Sequence, residues 1–186
     1  MKKIMFNDKY GLTQAVLEGR KTQTRRTFLK PGEENLLHGT TPEYLIAVKS
    51  RYKVGETVAI AQSYKDIHAE VLREVGDWDL KKEFRQSKGY TNKMFVRAEK
   101  MPHAIRITNI RVQRLQDISE EDCLKEGIWR YENVGLKGTT YWYHGLSNSS
   151  FRTPQEAYAS LIDSISGKGT WASNPYVFVY DFELIN

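Results

Sequence analysis

The sequence predicts an α+β fold, a mixed β-barrel with flanking helices and insertions, in one domain spanning residues 1–186. Three observations predict it. First, Tyr176 to Leu184 alternates strictly. Tyr176, Phe178, Tyr180, Phe182 and Leu184 share one face; Val177 and Val179, then Asp181 and Glu183, form the other. That is a core strand near the end of the chain. Second, Ala104 to Leu115 reads as a long strand whose parity slips, because Ile105 and Ile107 fall on one face and Ile110 and Val112 on the other. A β-bulge near Thr108-Asn109 reconciles the two halves, and the bend it introduces suits a small barrel. Third, helices with their own start signals flank these strands.

Taken in order, Ile4-Met5-Phe6 reads as a first strand. Asp8 caps a helix whose Leu12, Ala15 and Val16 lie on one face. Gly19 ends that helix as a left-handed C′ residue. Thr27-Phe28-Leu29 begins a second strand, which Pro31-Gly32 breaks. Residues 30–50, rich in turn formers, read as an insertion. Val54-Gly55-Glu56 is a turn into a strand from Thr57 to Tyr64. Residues 65–90 read as a charged helical insertion with Ile67, Val71, Leu72 and Val75 on its apolar side. Ser119 caps a helix with three acids in its first turn, ending at Gly127. Residues 129–152, with Tyr141-Trp142-Tyr143 at their centre, read as an irregular insertion. Thr153-Pro154-Gln155-Glu156 is a capping box with proline at N1. Its helix carries Ala157, Tyr158, Leu161, Ile162 and Ile165 on one face and stops at Gly167-Lys168-Gly169.

Composition narrows the class. Hydrophobic residues make up 40% and charged residues 27%, and 28 basic against 23 acidic side chains give a net charge of +5. That is ordinary for a globular protein, and its mild basicity favours anionic partners such as nucleic acid. Cys123 stands alone, so no intrachain disulfide forms, which fits a reducing cytoplasm. It reads as a small core residue. No apolar run approaches the roughly 20 residues of a membrane span, and neither a signal peptide nor a membrane partner is expected. His38, His68, His103 and His144 show no metal-ligand spacing, so neither a metal nor another cofactor is expected.

One stretch stands apart. Gly19-Arg20-Lys21-Thr22-Gln23-Thr24-Arg25-Arg26 packs four cations and two threonines into eight residues. Like charges so close together repel one another, and the combination suits a phosphate, a nucleotide or a polarised carbonyl. Its Gly19, Lys21 and Arg26 carry the Gly-x-Lys-x-x-x-x-Arg spacing of the ASCH superfamily, whose domain is a small barrel related to the PUA fold. The chain resembles the longer phage-type and bacterial members of that superfamily. The resemblance includes the Val-Gly-Glu turn and the Trp171-Ala172-Ser173-Asn174-Pro175 run before the last strand. One branch of the superfamily removes the acetyl group from N4-acetylcytidine through Gly-Arg-Lys-Thr-x-Thr-x-Arg, which residues 19–26 match. The resemblance implies Lys21 and Thr24 as catalytic residues and places the third, a glutamate, at Glu126.

In that role a threonine hydroxyl needs a base, and a lysine serves when burial and neighbouring cations lower its pKa. The competing reading is simpler. Lys21 and Arg26 bind a phosphate or carboxylate, Thr24 supports the loop, and Glu126 is a solvated acid. Gly19, Arg20, Arg25, Arg26 and Trp142 are then ligand-binding residues, with Trp142 a platform for a base. Binding of RNA or of a nucleoside or nucleotide in a basic cleft is the first expectation. Amidohydrolysis of an acylated cytidine is the alternative. A protein-docking module of mobile-element origin, using the basic stretch on a flat face, is the third. A pocket shared by Lys21, Thr24 and Glu126 favours the enzyme; Glu126 in solvent on the far side excludes it.

Overall fold

The structure, a computed structural model, describes residues 1–28, 39–67, 82, 85–133, 138–145 and 150–185. The chain is α+β, with one five-stranded mixed sheet and one two-stranded sheet. The large sheet holds β1 (Lys2–Ile4), β2 (Gln23–Thr27), β3 (Thr57–Ile60), β4 (Ala104–Arg114) and β7 (Tyr176–Ile185) in the order β1-β3-β4-β7-β2. The small sheet is a hairpin of β5 (Trp129–Asn133) and β6 (Gly138–Trp142). The helices that flank the strands include α1 (Leu12–Leu17), α2 (Pro42–Lys49), α3 (Glu120–Lys125), α4 (Pro154–Ser166) and α5 (Thr170–Ser173). β1 runs parallel to β3, while the β3–β4, β4–β7 and β2–β7 pairs are antiparallel. Among the described residues no bridge joins β1 to β2, so both are free edges and the sheet is open.

The two strand patterns appear where the alternation places them. β7 lies inside the sheet, and Val177 through Tyr180 are buried on both its faces. β4 pairs with it along its full length, with a register shift between Ile107 and Asn109. The extra residue re-aims the strand, so that Ile105, Ile107 and Ile110 are all buried despite their opposite parities. Two of the expected helix caps also form, whereas Asp8 does not cap α1: Asn7 caps the short 3-10 turn Asp8–Tyr10, and α1 starts after Gly11 with no side-chain cap bond. Ser119 Oγ accepts from the Asp122 amide at 3.1 Å, and Thr153 and Glu156 close the predicted capping box around Pro154. Cys123 is fully buried, as expected.

Four elements differ from the sequence reading. The first strand is Lys2–Ile4, and Met5-Phe6 follows it. The second begins at Gln23, so the latter half of the basic stretch is strand and not loop. Tertiary partners decide this, since β7 supplies the ladder and acids on α3 neutralise the cations. Within residues 30–50, Thr41-Pro42 starts helix α2, with Thr41 Oγ1 accepting from the Tyr44 amide at 3.3 Å. Proline at the first helical position favours a start, not a break. Within 129–152 the aromatics build the β5–β6 hairpin, with Trp129 opposite Trp142. The strand at Leu29, the turn at Pro31-Gly32 and the helix side carrying Val71, Leu72 and Val75 lie outside the described residues, as do His38 and His68.

Candidate functional site

The basic stretch is brought to α3 by backbone first. Gly19, at φ +72°, turns the chain out of α1. The Lys21 amide then bonds Ala15 O and the Thr22 amide bonds Lys125 O at 3.0 Å. At the other end of this clasp Gly127 adopts φ +104°, with Leu12 and Lys21 packed against its Cα where a side chain would stand. Glu126, the C-cap of α3, is thereby set beside Lys21 although 105 residues separate them.

Lys21 Nζ donates to Glu126 Oε2 at 2.5 Å, to Glu126 O at 2.8 Å and to Gln23 O at 2.7 Å. All three ammonium hydrogens therefore have acceptors. The pair is sealed from water, with side-chain exposures of 2% and 5%. Burial pulls the Lys21 ammonium below the ordinary lysine range; Glu126 opposes this only in part.

Lys21, Thr24 and Glu126 line one cavity of about 730 Å³. It runs along the free edge of β2, since consecutive residues Thr24 to Thr27 all contribute to its wall. Met5 and Phe6 form the side nearest β1, and Tyr158, Leu161 and Ile165 of α4 form the opposite one. Thr24 is buried, and its hydroxyl has no hydrogen-bond partner among the described residues. Arg26 is exposed at the rim, and its Nη2 donates to Met5 O at 2.6 Å. The arginine thus bridges the open edge between β2 and the end of β1.

Of the other sequence-predicted ligand residues, Arg25 contributes to the cavity wall but spends its charge on acids, and Arg20 and Trp142 lie elsewhere. The Arg25 side chain is 0% exposed, with Nη2 2.9 Å from Asp122 and Nη1 3.3 Å from Glu126. Its charged end is engaged by these two acids and holds Glu126 in place. Asp122 also pairs with Arg111 at 2.7 Å, and Arg111 in turn pairs with Asp181, which accepts from Gln23 and Asn109. This chain of charges ties β2, β4, β7 and α3 together. Arg20 pairs with Glu18 and lies 3.8 Å from the ring centre of Trp129, which stacks on Trp142 at 5.3 Å and 7°. Neither Arg20 nor Trp142 lines the cavity.

Lys93 and Tyr158 are among the lining residues not singled out as site residues from the sequence. Lys93 comes from the 3-10 turn Lys93–Phe95, bonds Phe6 O and pairs with Asp8 at 2.7 Å. No sequence signal marks it. Tyr158 is 1% exposed, and burial pushes its phenol well above the ordinary range, so it stays neutral. Its place on the apolar side of the predicted helix was the available signal. Cys123 does not enter the chemistry, since burial pushes its thiol up to about 12. Among the described residues no cluster of three His, Cys, Asp or Glu side chains could hold a metal ion.

The network has a pH signature. Burial favours the protonated form of Asp122, but its bonds and charge contacts with Arg25 and Arg111 outweigh that and hold its carboxyl below the ordinary aspartate value. A folded-state pKa below the unfolded one, about 3.9, means the unfolded chain binds more protons across that window. The stabilisation is complete above the unfolded value and is lost as pH falls through the folded one. Melting temperatures measured from pH 7 to pH 2 are expected to drop below about pH 4, with a shallower drop for Asp122→Asn. An identical slope in the variant removes Asp122 as its source.

No helix among the described residues is long and apolar enough to cross a membrane. No family model, no curated protein and no solved structure matches the chain.

Proposed function

We propose that the chain is an ASCH-type domain of PUA-like fold that hydrolyses N4-acylated cytidine in the cavity beside β2. The observation that carries this reading is the meeting of Lys21, Thr24 and Glu126 around one cavity, with Lys21 and Glu126 2.5 Å apart. Gly19, Lys21 and Arg26 at the superfamily spacing support the family assignment, and the Arg26 bridge to Met5 O lies where a barrel would close. A volume of about 730 Å³ is within the range of small-molecule sites. Its mixed lining of hydroxyl, ion pair and apolar helix suits a nucleoside better than a flat protein partner.

The chemistry follows from burial. In a dry site the charged form of Lys21 is disfavoured. Passing the shared proton to Glu126 leaves an amine and a carboxylic acid, which are a base and an acid side by side. The amine takes the Thr24 proton as Oγ1 attacks the acyl carbonyl. Glu126 protonates N4 as the C–N bond breaks, releasing cytidine. Water then cleaves the threonine ester to acetate and restores both partners.

Incubation with N4-acetylcytidine is expected to release cytidine and acetate in equal amounts. Thr24→Val is expected to stop release by at least about 100-fold while cytidine still binds, because it removes the hydroxyl and keeps the shape. Turnover by Thr24→Val at the wild-type rate rejects Thr24 as the nucleophile. A second reading, binding without hydrolysis, is favoured by the saturation of Lys21, whose three hydrogens all have acceptors. It predicts cytidine binding with no acetate released.

A further inference from the structure

We propose that the groove between the free edges of β1 and β2 holds a phosphate, so that the preferred substrate is a cytidine nucleotide and not the free nucleoside. The inference rests on the nucleoside reading of the neighbouring cavity and adds a second subsite to it. The groove has a volume of about 340 Å³ and shares Met5, Arg26 and Thr27 with the main cavity, so one ligand can span both.

Its chemistry is one-signed. Lys3, Arg26, Lys49 and Arg51 line it, and no carboxylate does among the described residues. Lys3 is engaged, its ammonium donating to Met94 O at 2.7 Å and Val96 O at 2.6 Å. Lys49 and Arg51 are exposed and have no carboxylate partner among the described residues. Arg26 uses Nη2 on Met5 O, which fixes the guanidinium at the boundary of the two cavities. The floor is Tyr52, Phe178 and Tyr180. Tyr52 is 4% exposed, and its hydroxyl donates to Lys3 O at 3.2 Å, so the floor offers a firm apolar base without competing charge.

Four cations around a groove with no acid among the described residues repel one another, and an anion between them removes that cost. Guanidinium and ammonium donors at fixed positions recognise phosphate through charge-assisted bonds. Lys49 ends α2 and Arg51 follows it. The segment that reads from sequence as an insertion, with Arg51 directly after it, therefore supplies cations that the Gly-x-Lys-x-x-x-x-Arg motif lacks.

Calorimetry with cytidine and cytidine 5′-monophosphate tests this on the full chain, alongside hydrolysis of N4-acetylcytidine and its 5′-monophosphate. The monophosphate is expected to bind about tenfold tighter than cytidine, with the advantage shrinking in high salt. Lys49→Glu with Arg51→Glu is expected to erase the advantage and leave cytidine binding unchanged; a melting curve checks that the variant is folded. A cytidine dinucleotide separates the sources of phosphate. A gain equal to that of the monophosphate assigns the groove to a strand phosphodiester, and a gain by the monophosphate alone assigns it to a terminal phosphate. Equal binding of cytidine and both phosphorylated probes overturns the proposal, as does an advantage that survives the double charge reversal. A reversal-sensitive advantage without release of acetate keeps the groove and rejects the hydrolase reading. Acetate release with no phosphate preference does the opposite.

Discussion

Lys21→Ala is expected to reduce cytidine release from N4-acetylcytidine by at least about 1,000-fold and to destabilise the fold by about 3–5 kcal/mol. Both effects come from one place. Lys21 and Glu126 are nearly inaccessible to water, and removing the lysine leaves a buried carboxylate facing a void. The remaining partner, Arg25, is 3.3 Å away and is shared with Asp122. Breaking a buried pair costs far more than the pair contributes, because an uncompensated charge stays behind. Loss of activity alone could then reflect loss of fold, so the second variant separates them. Lys21→Met with Glu126→Gln removes both charges and keeps volume, together with an amide oxygen for Arg25. Its melting temperature is expected to recover most of the deficit while turnover stays absent. Recovery of turnover along with stability would rule out Lys21 and Glu126 as the proton-transfer pair.

Arg25→Ala is expected to cost about 3–5 kcal/mol as well. Its guanidinium is wholly enclosed and faces Asp122 and Glu126, which both lose a partner on truncation. Denaturant unfolding measures the loss. Because Lys21 and Arg25 share Glu126, their effects are not independent. A double-mutant cycle is expected to return a coupling of about 0.5–3 kcal/mol. Strict additivity would mean that the two cations act on separate acids. A change below about 0.5 kcal/mol for Arg25→Ala would mean that water enters and replaces the guanidinium.

How much of this was legible depends on how local each feature is. Ser119, the Thr153 to Glu156 box and the parity slip at Thr108-Asn109 are written in a few adjacent residues, and each forms where it is read. The second strand was misplaced because Arg25 and Arg26 look solvated until Asp122 and Glu126 are known to face the first of them. That information lies about a hundred residues away. Helix α2 was missed because Pro42 is both a turn former and a helix starter, and only the Thr41 cap decides between them. The Trp129–Trp142 hairpin depends on a cross-strand pair that no short window contains. Lys21, Thr24 and Glu126 came from a resemblance, and the cavity unites them. Arg20, Arg25 and Trp142 were chosen for residue type, and type alone does not say which way a side chain points. Lys93 enters by tertiary packing alone.

The strand order has a consequence for how the protein is made. Among the described residues β2 has one strand partner, β7, and Gln23 pairs with Asp181. A growing chain therefore carries Lys21 and Thr24 about 150 residues ahead of β7, with no ladder to hold them until residues 176–185 leave the ribosome. Ribosome-bound chains stopped at residue 170 already contain Lys21, Thr24 and Glu126, yet they lack the strand on which β2 is laid down. The site is completed only when β7 is made, and a chain released short of β7 emerges with its chemistry present and unplaced.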